Sequence, residues 1–522
     1  MMNKLRNPNS IFILFWLALQ LVLNWQSYIQ LPPYGMHQGA QCDRACIALN
    51  YYQESANFFE PRVMENRGFE GVTGLEFPMT QYIVAALYKV FGFHHFIYRL
   101  VMGVFAFMAC FFAFQITRFF VKKLLTRILL ITIWYASPIF TFYAFGFLPD
   151  IPALAFVMMG WYFFIRYHYG IEPEKSFRNF MISTAFAGLF KITFLINAIA
   201  VVGLYFLHKY RKISLENPIK LTWKQRFWIL LPLASITIWY VYANYLTKLT
   251  WNFHFMQKAN PAHSLREFLD NSQYSWNSWA DSIYPKTTLL LLVIIGIFTI
   301  IRNRQKIELL GAITLLLFGG FLVVFTLFNG QYRYHDYYFI IGYPFVFFLI
   351  LYLQQTFVEN QIVIMGLSGI LSLVGLYVLP FSNMAHAKNQ LRRTFTQNDY
   401  YCQAVFPRTQ DLISVKQWID QKEPNAKTEI IVAFDNTPNT ALYLIQRQGI
   451  RIASDFDSTL IRDVIRHKFE ITPNTATWIL CNNPQELQKK WPKLSANFKY
   501  SLSTTPIYYY GEWSILPITY SK

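Results

Sequence analysis

FMISTAFAGLFKITFLINAIAVVGLYFL, residues 180–207, carries a single charge, Lys191, in 28 residues. Basic segments flank it on both sides, Arg166 to Arg178 before it and Lys209 to Arg226 after it. Short basic loops stay on the cytoplasmic side of a membrane, so an odd number of crossings here would strand one of them outside. The run therefore reads as two short, tilted helices meeting near Lys191, although so few residues are tight for two spans of about 30 Å each. Irregular backbone at that depth must be buried in protein or line a cavity.

The rest of the chain supports a membrane setting. Of 522 residues, 54% are hydrophobic, 19% aromatic and only 14% charged, against about 25% charged in ordinary soluble domains. Apolar runs of about 18 residues or more recur from Ile11 to Leu379, and the first lacks the small-residue cleavage site of a secretory leader. The net charge of +18 resides in short loops between apolar runs rather than on one face, which argues against nucleic acid. Cys42, Cys46, Cys110, Cys402 and Cys481 form neither a CxxC pair nor a zinc-ligand array, though Cys42 and Cys46 share a face if their stretch is helical.

Lys4 and Arg6 place the amino terminus in the cytoplasm, and the crossings follow at Ser10–Tyr28, Phe96–Thr117, Ile128–Tyr143 and Ile151–Ile165. The two arms of the 180–207 run come next, then Phe227–Leu246, Thr287–Ile301, Leu309–Phe328, Phe339–Leu353 and Ile362–Pro380. The expected architecture is a polytopic α-helical membrane domain, residues 1–381, with eleven crossings and a long first outer loop at 31–95. Within that loop Pro78–Val90 is amphipathic and suits the membrane interface. Beyond it, residues 382–522 read as an outer, soluble α/β domain with a mostly parallel sheet, because short apolar strands alternate there with helical stretches. Strands are expected at Thr428–Phe434, Ile450–Ala453, Thr477–Cys481, Ile507–Tyr510 and Trp513–Ile518, and helices at Ser414–Gln421, Pro438–Arg447, Leu460–Lys468 and Pro484–Trp491.

The acids that face the outer compartment are few. Asp43 and Arg44, in HQGAQCDRACIALNYYQ, follow the first crossing directly, and Asp150, in FGFLPDIPALAF, stands at the mouth of the next inward helix. Ionisable residues at such places are commonly functional, although Asp150 before Ile151 and Pro152 also suits a plain helix N-cap. The segment NGQYRYHDYYF gathers Arg333, His335 and Asp336 among aromatic rings. A guanidinium there can grip a phosphate with two parallel bonds, and equally suits snorkelling to lipid headgroups. His335 suits a satisfied interfacial histidine, and Lys191 either approaches the same phosphate or reaches the interface.

An acid in a long first outer loop, the acid-and-proline motif GLEFPMTQY, and a second acid in the turn after the third crossing together resemble the GT-C class of glycosyltransferases. The likeness is greatest to family 39, the protein O-mannosyltransferases and bacterial aminoarabinose transferases, and covers most of the chain. It implies that Asp43 is the catalytic acid of the first loop, that Asp150 is the second-loop acid, and that Glu76 is the acid of the third motif. The aminoarabinose branch places a phosphate-binding lysine between that acid and the proline. Here the position is Phe77, so the phosphate ligand must come from elsewhere, with Arg333, His335, Asp336 and Lys191 as candidates.

The implied reaction moves a sugar from a polyprenyl-phosphate carrier to a glycan, lipid or protein acceptor at the outer face, in a bacterial inner membrane. Asp43 takes the acceptor's proton and a single displacement inverts the anomeric centre. Outward-facing His37, Asp43, Asp150 and His335 leave room for a divalent metal, but no spacing requires one. No Walker or GxGxxG motif points to a nucleotide. The competing readings are a transporter or flippase, for which no internal repeat is evident, and a polymerase or ligase of lipid-linked glycans.

Overall fold

The computed structural model describes residues 7–66, 69–210, 222–250, 255, 259–290, 292, 308–356, 375, 378–396, 409–423, 429–435, 437–452, 476–494 and 500–520. The chain forms two compact units, one of Met1–Ile29, Arg99–Val241 and Gln257–Arg392, the other of Gln30–Tyr98, Tyr242–Met256 and Arg393–Lys522. Among the described residues five helices are long and apolar enough to cross a membrane: His95–Thr117, Ile192–Lys209, Trp223–Thr250, Leu309–Leu327 and Asp336–Gln354. The crossings read at Thr287–Ile301 and Ile362–Pro380, and the helix read at Leu460–Lys468, fall largely or wholly outside the described residues.

In the first unit the 180–207 run breaks at Lys191. One helix covers Pro173–Phe190, Lys191 is extended with φ −158° and ψ 110°, and a 3-10 turn at Ile192–Leu195 leads into the helix Ile196–Lys209. The first arm starts in the basic segment rather than at Phe180, with Pro173 at a helix start where its missing N–H costs nothing. That gives it 18 residues, about 27 Å of helix, but it is not among the five helices long and apolar enough to cross a membrane. It packs along the helix Asp150–His168, with Phe180 and Ser183 lying beside Gly160.

Two other expected helices are divided. Ile128–Tyr143 becomes Leu124–Tyr135 and Pro138–Tyr143, because proline has no N–H to continue the ladder and clashes with the preceding turn. The helix expected at Phe339–Leu353 begins earlier, with a 3-10 segment, Asp336–Gly342, before the regular helix Tyr343–Gln354. Trp134 and Tyr343 tie these pieces together. The Trp134 indole donates to the Tyr343 carbonyl at 2.9 Å, and the Tyr284 hydroxyl donates to the Trp134 carbonyl at 2.8 Å.

The second unit joins the first loop to the carboxy-terminal segment. Its sheet has strands β1 (Glu429–Ala433), β2 (Gly449–Ile452), β3 (Ala476–Cys481), β4 (Tyr500–Leu502), β5 (Tyr508–Tyr510) and β6 (Trp513–Tyr520). The order is β2-β1-β3-β6-β4, with β5 also on β6. The expectation of a mostly parallel sheet needs correction: β1 runs parallel to β2 and β3, but β6 is antiparallel to β3, β4 and β5. A hairpin causes this, since Gly511 at φ +58° turns the chain directly from β5 into β6, and so short a link admits only antiparallel neighbours. Ile431, Ile452, Ile479, Leu487 and Leu516 fill the core on one side.

The loop also extends this sheet. The Asn66 amide donates to the Gly449 carbonyl at 2.7 Å and the Gly449 amide donates to Met64 at 3.1 Å, so residues 64–66 lie parallel to β2. The helix Gln38–Gln53 packs on the helix Met79–Phe91, the amphipathic stretch, and on the short helix Thr440–Ile445.

Candidate functional site

The first unit holds Asp150, Lys191, Arg333, His335 and Asp336. Asp150 is the first helical residue rather than the cap, a position Pro149 occupies, so the N-cap reading does not describe it. Its carboxylate, 1% exposed, instead accepts a 2.5 Å bond from the Lys191 ammonium. Being at a helix start favours the negative charge, and the break at Lys191 turns the lysine side chain toward it. The ammonium lies 4.5 Å from the ring centroid of Tyr338 and 5.1 Å from that of Tyr337, so both ring faces add to its stabilisation.

The rest of NGQYRYHDYYF surrounds this pair with aromatic and polar groups. His335 packs on the Tyr337 and Tyr338 rings, at 5.3 and 6.0 Å between centroids. Asp336, buried, accepts a 2.7 Å bond from the Tyr143 hydroxyl. Arg333 donates to the Asn271 side chain at 3.0 Å and lies over Tyr274 and Tyr334. Asp150 and Lys191 thus meet directly, while Arg333 is held by an amide and two rings. Tyr143, Tyr274, Tyr337 and Tyr338 were not singled out from sequence, although the last two stand in the quoted aromatic segment.

In the second unit the helix Gln38–Gln53 carries Asp43 and Arg44. Arg44 pairs with Glu76 at 3.0 Å and stacks over Phe255 at 4.8 Å, leaving both members of the pair largely buried. Glu76, read as the third-motif acid, is therefore neutralised by the residue next to Asp43. Phe77 sits against Phe58, 5.2 Å between centroids, and so belongs to a small aromatic cluster with Tyr82. Asp43 is half-buried, and Asn439, 396 residues away in sequence, donates to its Oδ1 at 2.8 Å.

Cys42 and Cys46 are buried thiols whose pKa values are pushed up, first by burial and then by the Asp43 charge. Among the described residues no three His, Cys, Asp or Glu side chains gather as a metal site.

Asp435 has a pKa pushed up to about 6 from an ordinary 3.8, by burial, with bonds from the Ala441 and Thr437 amides opposing. The folded chain then holds this proton at pH values where the unfolded chain has released it, so stability falls as pH rises from 3.8 to about 6. The full difference is about 3 kcal/mol. Unfolding measured from about pH 4 to pH 7 should show this downward slope in wild type relative to Asp435→Asn. Parallel pH dependences for the two proteins would refute it.

No known family model and no curated protein matches the sequence. Solved structures do match. ArnT from Cupriavidus metallidurans in the apo state aligns over 98% of each chain with a TM-score of 0.60 at 10% identity. The same protein bound to undecaprenyl phosphate aligns over 98% of each chain with a TM-score of 0.59, also at 10% identity. The Archaeoglobus fulgidus oligosaccharyltransferase, in complex with Zn and sulfate, aligns over 94% of this chain and 72% of its own at 10% identity with a TM-score of 0.54. The fold is that of the GT-C glycosyltransferases.

Proposed function

We propose that this chain is a membrane glycosyltransferase that moves a sugar from a polyprenyl-phosphate carrier to an acceptor on the outer face of the membrane. The observation that carries the reading is the buried Asp150–Lys191 pair beneath Tyr337 and Tyr338, at a break between apolar helices, in a fold shared with ArnT. An ammonium among aromatic rings suits a phosphate ester with a lipid tail and a sugar, because it supplies charge where water is scarce. A bacterial inner membrane with eleven crossings, and with residues 382–522 outside, completes the proposal.

In this mechanism the acceptor oxygen or nitrogen attacks the anomeric carbon while the bond to the phosphate oxygen breaks, and the electron pair leaves with the carrier phosphate. Asp43 takes the acceptor's proton. Lys191 and Arg333 offset the charge that grows on the phosphate, Asp150 fixes Lys191, and Arg44 fixes Glu76. A single displacement inverts the anomeric configuration.

Arg333→Ala tests the donor half. It removes a charge-assisted contact worth about 1.5 to 3 kcal/mol, so a polyprenyl-phosphate sugar should bind about ten- to a hundredfold more weakly. Unchanged donor affinity in nanodiscs would place the phosphate elsewhere. The whole reading is tested by mass spectrometry of envelope glycans, glycoproteins and lipids with and without the chain, and by transfer with purified protein. Movement of the lipid carrier across the bilayer with no transfer would favour a flippase.

A further inference from the structure

Resting on that reading, we infer that Asn439 is a positioning residue that holds the base Asp43 in its working orientation. Asn439 is fully buried and precedes the short helix Thr440–Ile445 at the place where an asparagine ordinarily caps the helix through its side-chain oxygen. It does not cap. Asp435 has taken over that task, accepting from the Ala441 amide at 2.9 Å and the Thr437 amide at 3.1 Å.

The side chain so released is committed at both ends. Its oxygen accepts a 2.8 Å bond from the Glu65 amide, and its nitrogen donates a 2.8 Å bond to Asp43 Oδ1. Because Glu65 N–H is a donor, only one rotation of the amide satisfies both neighbours, and that rotation presents N–H to the carboxylate. The bond therefore fixes one oxygen of Asp43 and with it the plane of the carboxylate, while Asp43 remains half-buried rather than enclosed.

The surroundings are built to bring these residues together. Gly39 lies one turn before Asp43, and a Cβ there would stand 2.6 Å from the Thr437 methyl, so the close approach of the helix to this turn needs glycine. Residues 64–66, which supply the Glu65 amide, are anchored on Gly449 of β2. A base that must meet a proton within hydrogen-bond reach gains from being held in one orientation.

Two variants of the full chain in nanodiscs test this. Asn439→Asp keeps the size and the acceptor for Glu65 but replaces the donor to Asp43 with an oxygen. Asn439→Ala removes both bonds. Both should lower kcat about ten- to a hundredfold, with KM for a polyprenyl-phosphate sugar unchanged. In an Asp43→Asn background, Asn439→Ala should cost nothing further, because the group it positions is already gone. Wild-type kcat in both variants, or an equal loss from Asn439→Ala in the two backgrounds, overturns the inference and leaves the proposed reaction standing. If Asn439→Ala does not fold, Asn439→Asp decides, since it keeps the Glu65 bond. An Asp43→Asn protein at full rate, or a wild type with no transfer, removes the reading on which the inference rests.

Discussion

Asp43→Asn is expected to lower glycosyl transfer by a factor of roughly a hundred to ten thousand while the protein still inserts, folds and binds its lipid-linked donor. The substitution keeps the size of the side chain and removes only its ability to accept a proton. Its neighbours make it a specific probe. Arg44 is engaged with Glu76, so the change leaves that ion pair in place. Asn439 donates to Oδ1, and an asparagine at 43 can still offer an oxygen to it. Folding should therefore survive, and a loss of rate with unchanged donor affinity would identify the base. Transfer at the wild-type rate by purified Asp43→Asn protein would show that another group takes the proton. Asp150→Asn should reduce transfer less, because its task is to hold Lys191 rather than to accept a proton.

How much of this is legible in the sequence differs from element to element. The break at Lys191 is legible because basic segments on both sides of one apolar run ask for an even number of crossings, whatever the local propensity. The length of the first arm is not, because a helix that starts at Pro173 runs through Arg178 and Asn179 before its apolar part begins. Asp150 stands out from its place in a short turn between apolar runs, yet its role turns on one residue of register: at the cap it would bond its own helix, whereas one step inside it reaches Lys191. The strands of the second unit are legible from alternating apolar stretches, but the direction of β6 depends on the Gly511 turn rather than on composition. Asn439 is invisible from sequence for a different reason. It reads as an ordinary helix cap, and neither the handover of capping to Asp435 nor the approach of Asp43 leaves a local signal.

The Asp150–Lys191 pair makes a second prediction, which separates charge balance from donor binding. Asp150 is 1% exposed and Lys191 18% exposed on their side chains, so both charges are largely out of water and each stabilises the other. Lys191→Met preserves the length and apolar bulk of the side chain but leaves the Asp150 carboxylate without its ammonium. Breaking such a pair from one side costs about 3 to 5 kcal/mol, so thermal unfolding in detergent should begin well below the wild-type temperature. Asp150→Asn alone should cost less, because the more exposed Lys191 keeps the Tyr337 and Tyr338 faces. The double variant removes both charges, and most of the lost stability should return, since two neutral side chains of similar volume carry no buried ion. Donor binding should not return with it, because on the proposed mechanism the ammonium also faces the carrier phosphate. A stable double variant that still fails to bind donor would assign Lys191 to the phosphate. A Lys191→Met protein as stable as wild type would show that Asp150 does not depend on this ammonium, and the site would have to be rebuilt around Arg333.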